Sequence, residues 1–233
     1  MKQPLSKLLV KYFFVFITVW TITPSSLAQG VSFSYLIPKN GYLTAPVSPF
    51  SIRGLGVGDV IGIETGATLY NIPGLAMDDL PFDYNRPLIG PHFAALVPVD
   101  IYLKIPMNDA SVKFMIGGFG WWNINPRINE GNMDRAWRAY EEWEVLNSDF
   151  EFNNKLGYGW LGGFEFQFPY SRDVSLTFEA NYLRGRSKTG LRGSYSGVSD
   201  SSSTLQTKQV DLPEPSIVIE GLELSFGAIF SMR

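Results

Sequence analysis

Two runs of strict alternation, joined by a short polar turn, constrain this chain more than any other stretch. Leu156, Tyr158, Trp160, Gly162, Phe164, Phe166 and Phe168 take turns with Gly157, Gly159, Leu161, Gly163, Glu165 and Gln167. After Pro169-Tyr170-Ser171-Arg172-Asp173 the pattern resumes, with Val174, Leu176, Phe178, Ala180 and Tyr182 on one face and Ser175, Thr177, Glu179 and Asn181 on the other. A period of two is that of a β-strand, whose side chains point alternately to opposite faces. One face carries large apolar and aromatic groups and the other small or ionisable ones. That is the polarity of a strand with lipid outside and a polar interior.

The first residues bear on the compartment. Lys2, Lys7 and Lys11 precede an apolar segment from Tyr12 to Thr23, and Ser26-Leu27-Ala28 follows. This order predicts a signal peptide, residues 1–28, cleaved on export to leave a domain of residues 29–233. The apolar segment falls short of the roughly 20 residues a spanning helix needs. Three lysines and no acid leave with the leader, taking the formal charge from −3 to −6. A polybasic nucleic-acid surface is therefore not expected. With no cysteine, disulfides, thiolate metal sites and a lipid-modified N-terminal Cys are excluded. No 20-residue apolar run follows residue 28, so any membrane crossing must use strands. Closing a sheet into a barrel would pair every edge.

Alternating segments recur along the rest of the chain, from Val31 to Ile37, Val60 to Asn71, Phe93 to Ile105, Val112 to Trp122 and Ile217 to Met232. Ser51 to Val57 is a further strand of poorly defined phase, because glycines interrupt it. With the opening pair this makes eight. Short links at Gly58-Asp59, Met107 to Ala110 and Pro169 to Asp173 alternate with long ones near residues 38–50, 72–91, 124–155 and 185–216. The expected fold is all-β: an eight-stranded antiparallel up-and-down transmembrane β-barrel with short periplasmic turns and long extracellular loops.

At this point the chain resembles the small outer-membrane barrels of Gram-negative bacteria, the OmpA membrane-domain and OmpX type. Gly157-Tyr158-Gly159-Trp160 through Phe166, the turn, and Val174 through Tyr182 look like the penultimate hairpin of that family, and Leu222 to Phe230 like its closing strand. The resemblance implies an outer-membrane location, contact with outer-membrane lipid and lipopolysaccharide, and handling by the barrel-insertion machinery. The chain departs from the family in placing Ser231-Met232-Arg233 after Phe230, where a terminal aromatic is usual. A soluble lipocalin-like barrel is the competing fold, with the apolar face turned inward onto a ligand cavity. The many aromatics on that face, among them Trp122, Tyr158, Trp160, Tyr182 and Phe226, favour lipid girdles.

In the lipid-facing arrangement Glu64, Asp100, Lys104, Lys113, Glu165, Glu179 and Glu223, together with Arg53, point into a lumen only wide enough for side chains. Charges there must be paired or hydrated. They read as a network that plugs the barrel, or as the lining of a narrow conduit, which the excess of acids would make cation-preferring. His92 is the only histidine. A lipid A-modifying barrel enzyme would need it beside a Ser and a carboxylate, yet no Ser follows in His92-Phe93-Ala94. Asp78, Asp79 and Asp83 match no calcium-loop spacing, and no cofactor is expected. In the third long loop Met133, Ala136, Trp137, Tyr140 and Trp143 recur at helical spacing, with Asn132 as the expected N-cap. This aromatic stripe is either a lid on the barrel mouth or a docking face for a partner. The Ser-rich stretch from Ser194 to Ser203 reads as mobile and solvated. The function expected is that of a structural or interaction protein acting through its extracellular loops, alone or as an accessory subunit of a larger outer-membrane complex with other outer-membrane proteins, with a narrow channel as the second class and an enzyme a distant third.

Overall fold

A computed structural model of the chain describes residues 28–39, 50–199 and 204–231; all of the expected leader of residues 1–28 except Ala28 falls outside them. Eight long strands follow the alternating segments. They are β1 (Ala28–Pro38), β2 (Phe50–Val57), β3 (Ile61–Ile72), β5 (His92–Pro106), β6 (Ser111–Ile124), β8 (Gly157–Pro169), β9 (Val174–Lys188) and β12 (Ser216–Ser231). Each pairs antiparallel with the next, and β1 pairs with β12 from Ala28↔Ser231 to Pro38↔Gly221, which closes the sheet. The result is a closed antiparallel up-and-down barrel.

The alternation decides which face is which. Ile61, Ile101 and Ile116 on the outer face are 70%, 59% and 68% exposed, whereas Asp100, Glu165 and Glu223 on the inner face are 3%, 3% and 1% exposed. A continuous apolar exterior over buried charge is the reverse of a lipocalin-type cavity barrel, so the soluble alternative is set aside. The three short turns lie where expected, with Met107 N–H bonded to Ala110 O at 2.8 Å and Tyr170 N–H to Val174 O at 2.9 Å.

The irregular phase of β2 has a local cause. The β2–β3 register shifts between Ile52 and Leu55, and Gly54 sits there at φ 74°. An inserted residue in a strand bends it and breaks the two-residue count, and glycine takes the left-handed backbone without a Cβ penalty.

Four further strands and one helix occupy the long-loop end. A short β4 (Ala76–Asp78) pairs with β12 at Ser216↔Asp78 through Val218↔Ala76, next to the stretch that β12 shares with β1. The helix α1 (Glu130–Glu141) and β7 (Trp143–Glu151) come from the third loop, and β10 (Leu191–Ser199) and β11 (Gln206–Leu212) from the fourth. These last three strands form a second sheet, in the order β11-β10-β7. The fourth loop is thus structured over Leu191–Ser199 and Gln206–Leu212 where solvated coil was expected, and residues 200–203 of the Ser-rich stretch lie outside the described residues. Ser194 and Ser196 do face away from the core, but Tyr195 between them is 3% exposed and belongs to it. A serine-rich composition hid a strand whose one aromatic anchors it.

Candidate functional site: the filled lumen and the external sheet

The polar half of the lumen is built by alternate residues of neighbouring strands. Arg53 on β2 reaches Glu223 on β12 at 2.5 Å and Glu179 on β9 at 3.6 Å. Lys113 on β6 reaches Glu64 on β3 at 2.7 Å and Glu165 on β8 at 3.1 Å. Neutral groups meet part of the remaining hydrogen-bonding capacity, while Glu223 Oε2 and Asp100 Oδ1 accept no hydrogen bond among the described residues. Asn181 Nδ2 donates to Glu223 at 3.1 Å and also to Glu179, and Arg53 Nε donates to Ser51 Oγ at 3.2 Å. The Lys113 ammonium also lies 5.1 Å from the centre of the Tyr102 ring. Six of the seven charged residues expected in the lumen are buried there, and Arg53 joins them as a second cation. Lys104 is the exception. It lies near the short-turn end of β5 and its ammonium donates to Gln167 at 2.9 Å, not to a carboxylate. Asp100 is buried with the others but stands in no ion pair among the described residues.

Above these charges, toward the long loops, the interior turns apolar. Leu36, Tyr70, Leu96, Phe119, Trp121, Leu161 and Leu183 fill it and run without a break into Met133, Trp137 and Tyr195 of the cap. Inward-facing glycines on β8 make room for the large rings. A Cβ on Gly159 would lie 2.6 Å from Phe119 Cζ. The alternation of small and bulky residues across strands lets a narrow barrel close with side chains alone.

The cap is organised around Trp137. Its ring stacks on Tyr195 of β10 at 4.7 Å between centroids, meets Phe82 of the second loop edge-on at 5.1 Å, and lies 5.7 Å from Tyr140 and 5.6 Å from Phe150. Met133 and Ala136 lie beneath, fully buried, while Tyr140 stays 48% exposed. Trp143 is not on the helix as its spacing suggested. The helix stops when Glu142 takes the left-handed conformation at φ 57°, and Trp143 opens β7, 5.6 Å from Tyr195. The N-cap is Asn129, whose side chain accepts from Asn132 N–H at 3.1 Å. Asn132, the expected cap, instead sits inside the first turn and donates to Pro87 O at 2.8 Å, tying the third loop to the second. Both asparagines carry cap chemistry, and sequence spacing alone does not choose between them.

An ion pair staples the other side. Glu141 accepts from Tyr195 and from Lys208 of β11, and Lys208 also covers the Trp143 ring at 5.3 Å. Burial pushes the Glu141 carboxyl up, but these two donors outweigh it and hold the group below the ordinary carboxylate value of 4.5. Burial, then the neighbouring Glu141 carboxylate, push the Tyr195 phenol above its usual range. Tyr195, Phe82, Glu141 and Lys208 are absent from the sequence reading, since each gains its role only when three loops meet.

His92 is buried, with Nε2 2.8 Å from Asn123 Oδ1. Among the described residues neither a serine nor a carboxylate hydrogen-bonds to it. Asp78 and Asp79 face Arg186 at 3.3 and 3.7 Å, and no cluster of metal ligands occurs among the described residues.

Strand number, closure, apolar exterior and uneven loops together give the architecture of the small eight-stranded outer-membrane barrels. Among solved structures the chain is similar to Ail, the attachment invasion locus protein of Yersinia pestis, at 10% identity over 89% of this chain and 97% of that one, with a TM-score of 0.41. It is similar to a major outer membrane protein from Thermus thermophilus at 13% identity, covering 88% and 98%, with a TM-score of 0.40. OprG from Pseudomonas aeruginosa follows at 11% identity, covering 86% and 97%, with a TM-score of 0.36. No protein-family model and no curated protein matches the chain.

Proposed function

We propose that the barrel is an outer-membrane anchor that holds the β11-β10-β7 sheet outside the cell as a protein-interaction platform. The observation that carries this reading is the sheet itself. It projects from the barrel mouth and is fixed by the Trp137 cluster, and β11 and β7 each have one strand neighbour among the described residues. A strand with one side unpaired offers a row of main-chain donors and acceptors to an incoming extended segment. On β11, Gln206, Thr207, Lys208 and Gln209 are all exposed, and the strand packs on the core only toward its end, through Val210 and Leu212. Along β7 a cavity of about 610 Å³ is lined by Arg127, Asp149, Phe150, Glu151 and Phe152, among others, and offers both charge and aromatic surface. The filled lumen favours this role over that of a conduit, because ions would have to cross both the buried pairs and the apolar plug.

A photo-crosslinking residue at Gln209, displayed on intact cells, tests the reading. It should give a discrete adduct with one partner protein. The same residue at Arg172, in the short turn between β8 and β9, should not give that adduct. Adducts that are equal at both positions, or a diffuse smear at Gln209, would contradict the platform.

A further inference from the structure

On the outer wall the rows of β8 and β9 change character toward the long loops. The outward residues of β9 read Leu176, Phe178, Ala180, Tyr182 and then Arg184, Arg186 and Lys188, so an apolar row ends in an aromatic and continues as three cations. Beside it β8 presents Trp160 and Tyr158, and the register sets Trp160 opposite Arg184 and Tyr158 opposite Arg186. Each of the two arginines thus has an aromatic ring as its cross-strand neighbour on the same face. Between and above these rows lies a groove of about 640 Å³, whose lining holds four cations, Lys155, Arg184, Arg186 and Lys188, against a single acid, Asp79. Trp160 and Tyr158 are exposed in it, and the Trp160 ring lies 5.9 Å from that of Tyr182.

We propose that this groove seats the phosphorylated headgroup of an outer-leaflet glycolipid. The lipid-facing wall ends just below it, so the acyl chains of such a molecule continue down the apolar face while its phosphate meets the cations. Aromatic rings at this depth suit the boundary between chain and headgroup. Guanidinium groups bind phosphate bidentately, which two adjacent arginines can do together. The cations are not idle in the free protein. Arg184 lies 3.4 Å from Glu220, Arg186 3.3 Å from Asp78, and Lys188 3.3 Å from Glu214. The side chains of Arg184, Arg186 and Lys188 are 50%, 48% and 71% exposed, and pairs with such exposed members contribute little, so a phosphate dianion can displace them. This goes beyond the protein-interaction reading and uses a different face of the molecule.

Binding is measured on the purified full chain in detergent by native mass spectrometry and by Trp fluorescence. The probes are bisphosphorylated lipid A, the same lipid after enzymatic dephosphorylation, phosphatidylglycerol, and inorganic phosphate. The expected result is saturable binding of bisphosphorylated lipid A, at least tenfold weaker for the dephosphorylated form and for phosphatidylglycerol. The triple variant Arg184→Gln, Arg186→Gln, Lys188→Gln should lose at least tenfold in affinity, with Arg172→Gln unchanged and heat-modifiable gel migration confirming the fold of each. If the triple variant does not fold, Arg186→Gln alone should weaken binding at least threefold. Unchanged affinity in the variants, equal binding of the dephosphorylated lipid, or inorganic phosphate binding as tightly as the lipid would each overturn the proposal.

Discussion

Arg53 and Lys113 are the two cations in a lumen that also holds five buried carboxylates, and this imbalance decides what substitution does there. Arg53→Met would leave Glu223 and Glu179 facing each other without a counter-charge, and breaking a buried pair from one side costs about 3–5 kcal/mol. Urea titration of the folded barrel should register that loss, and adding Glu223→Gln to Arg53→Met should recover much of it. Asp100 stands in no ion pair among the described residues, so Asp100→Asn should leave stability unchanged or raise it. Glu141 gives a second residue-scale expectation. A carboxylate held below its ordinary value stabilises the fold above that value and loses the contribution as pH falls through the lowered one. Near-UV circular dichroism of the cap should therefore weaken as pH falls below the ordinary carboxylate value of 4.5, and Glu141→Gln should show the weakened signal at neutral pH.

At the scale of elements, the cap and the barrel are held by different means. The barrel closes by continuous backbone pairing, whereas the cap depends on one aromatic cluster. Trp137→Ala should cost that cluster about 3–5 kcal/mol, opening α1 and the β11-β10-β7 sheet to protease while the barrel keeps its heat-modifiable migration. Loss of barrel migration in this variant would show that the two are not separable. The elements also differ in how readable they are from sequence. Six of the eight barrel strands are legible because lipid on one side and a filled lumen on the other impose a period of two on each residue. β2 blurs where Gly54 adds a residue to the count, and β9 reads short because its outer face turns from apolar to basic at Arg184 while its backbone continues to Lys188. β7, β10 and β11 are hidden for another reason: their sheet is half solvated, so few apolar positions mark it. Of the candidate site, Glu64, Glu165, Glu179 and Glu223 follow from phase alone, but their partners depend on register between strands far apart in sequence.

For the whole molecule, one arrangement accounts for the exterior, the lumen and the loops. Planar-bilayer recordings should show no steady conductance, because the buried pairs and the plug of Leu161, Leu183, Phe119 and Trp121 leave no continuous path. A stable, cation-preferring open state would revive the conduit. The central claim is that the apolar face meets lipid and the charged face is inside. The chain has no cysteine, so single cysteines can be placed along β5 from Val97 to Leu103 and spin-labelled in lipid vesicles. Val97, Val99, Ile101 and Leu103 should be accessible to lipid-soluble oxygen and shielded from a water-soluble nickel reagent, with Pro98, Asp100 and Tyr102 protected from oxygen. A reversed phase, or no period of two, would contradict the account.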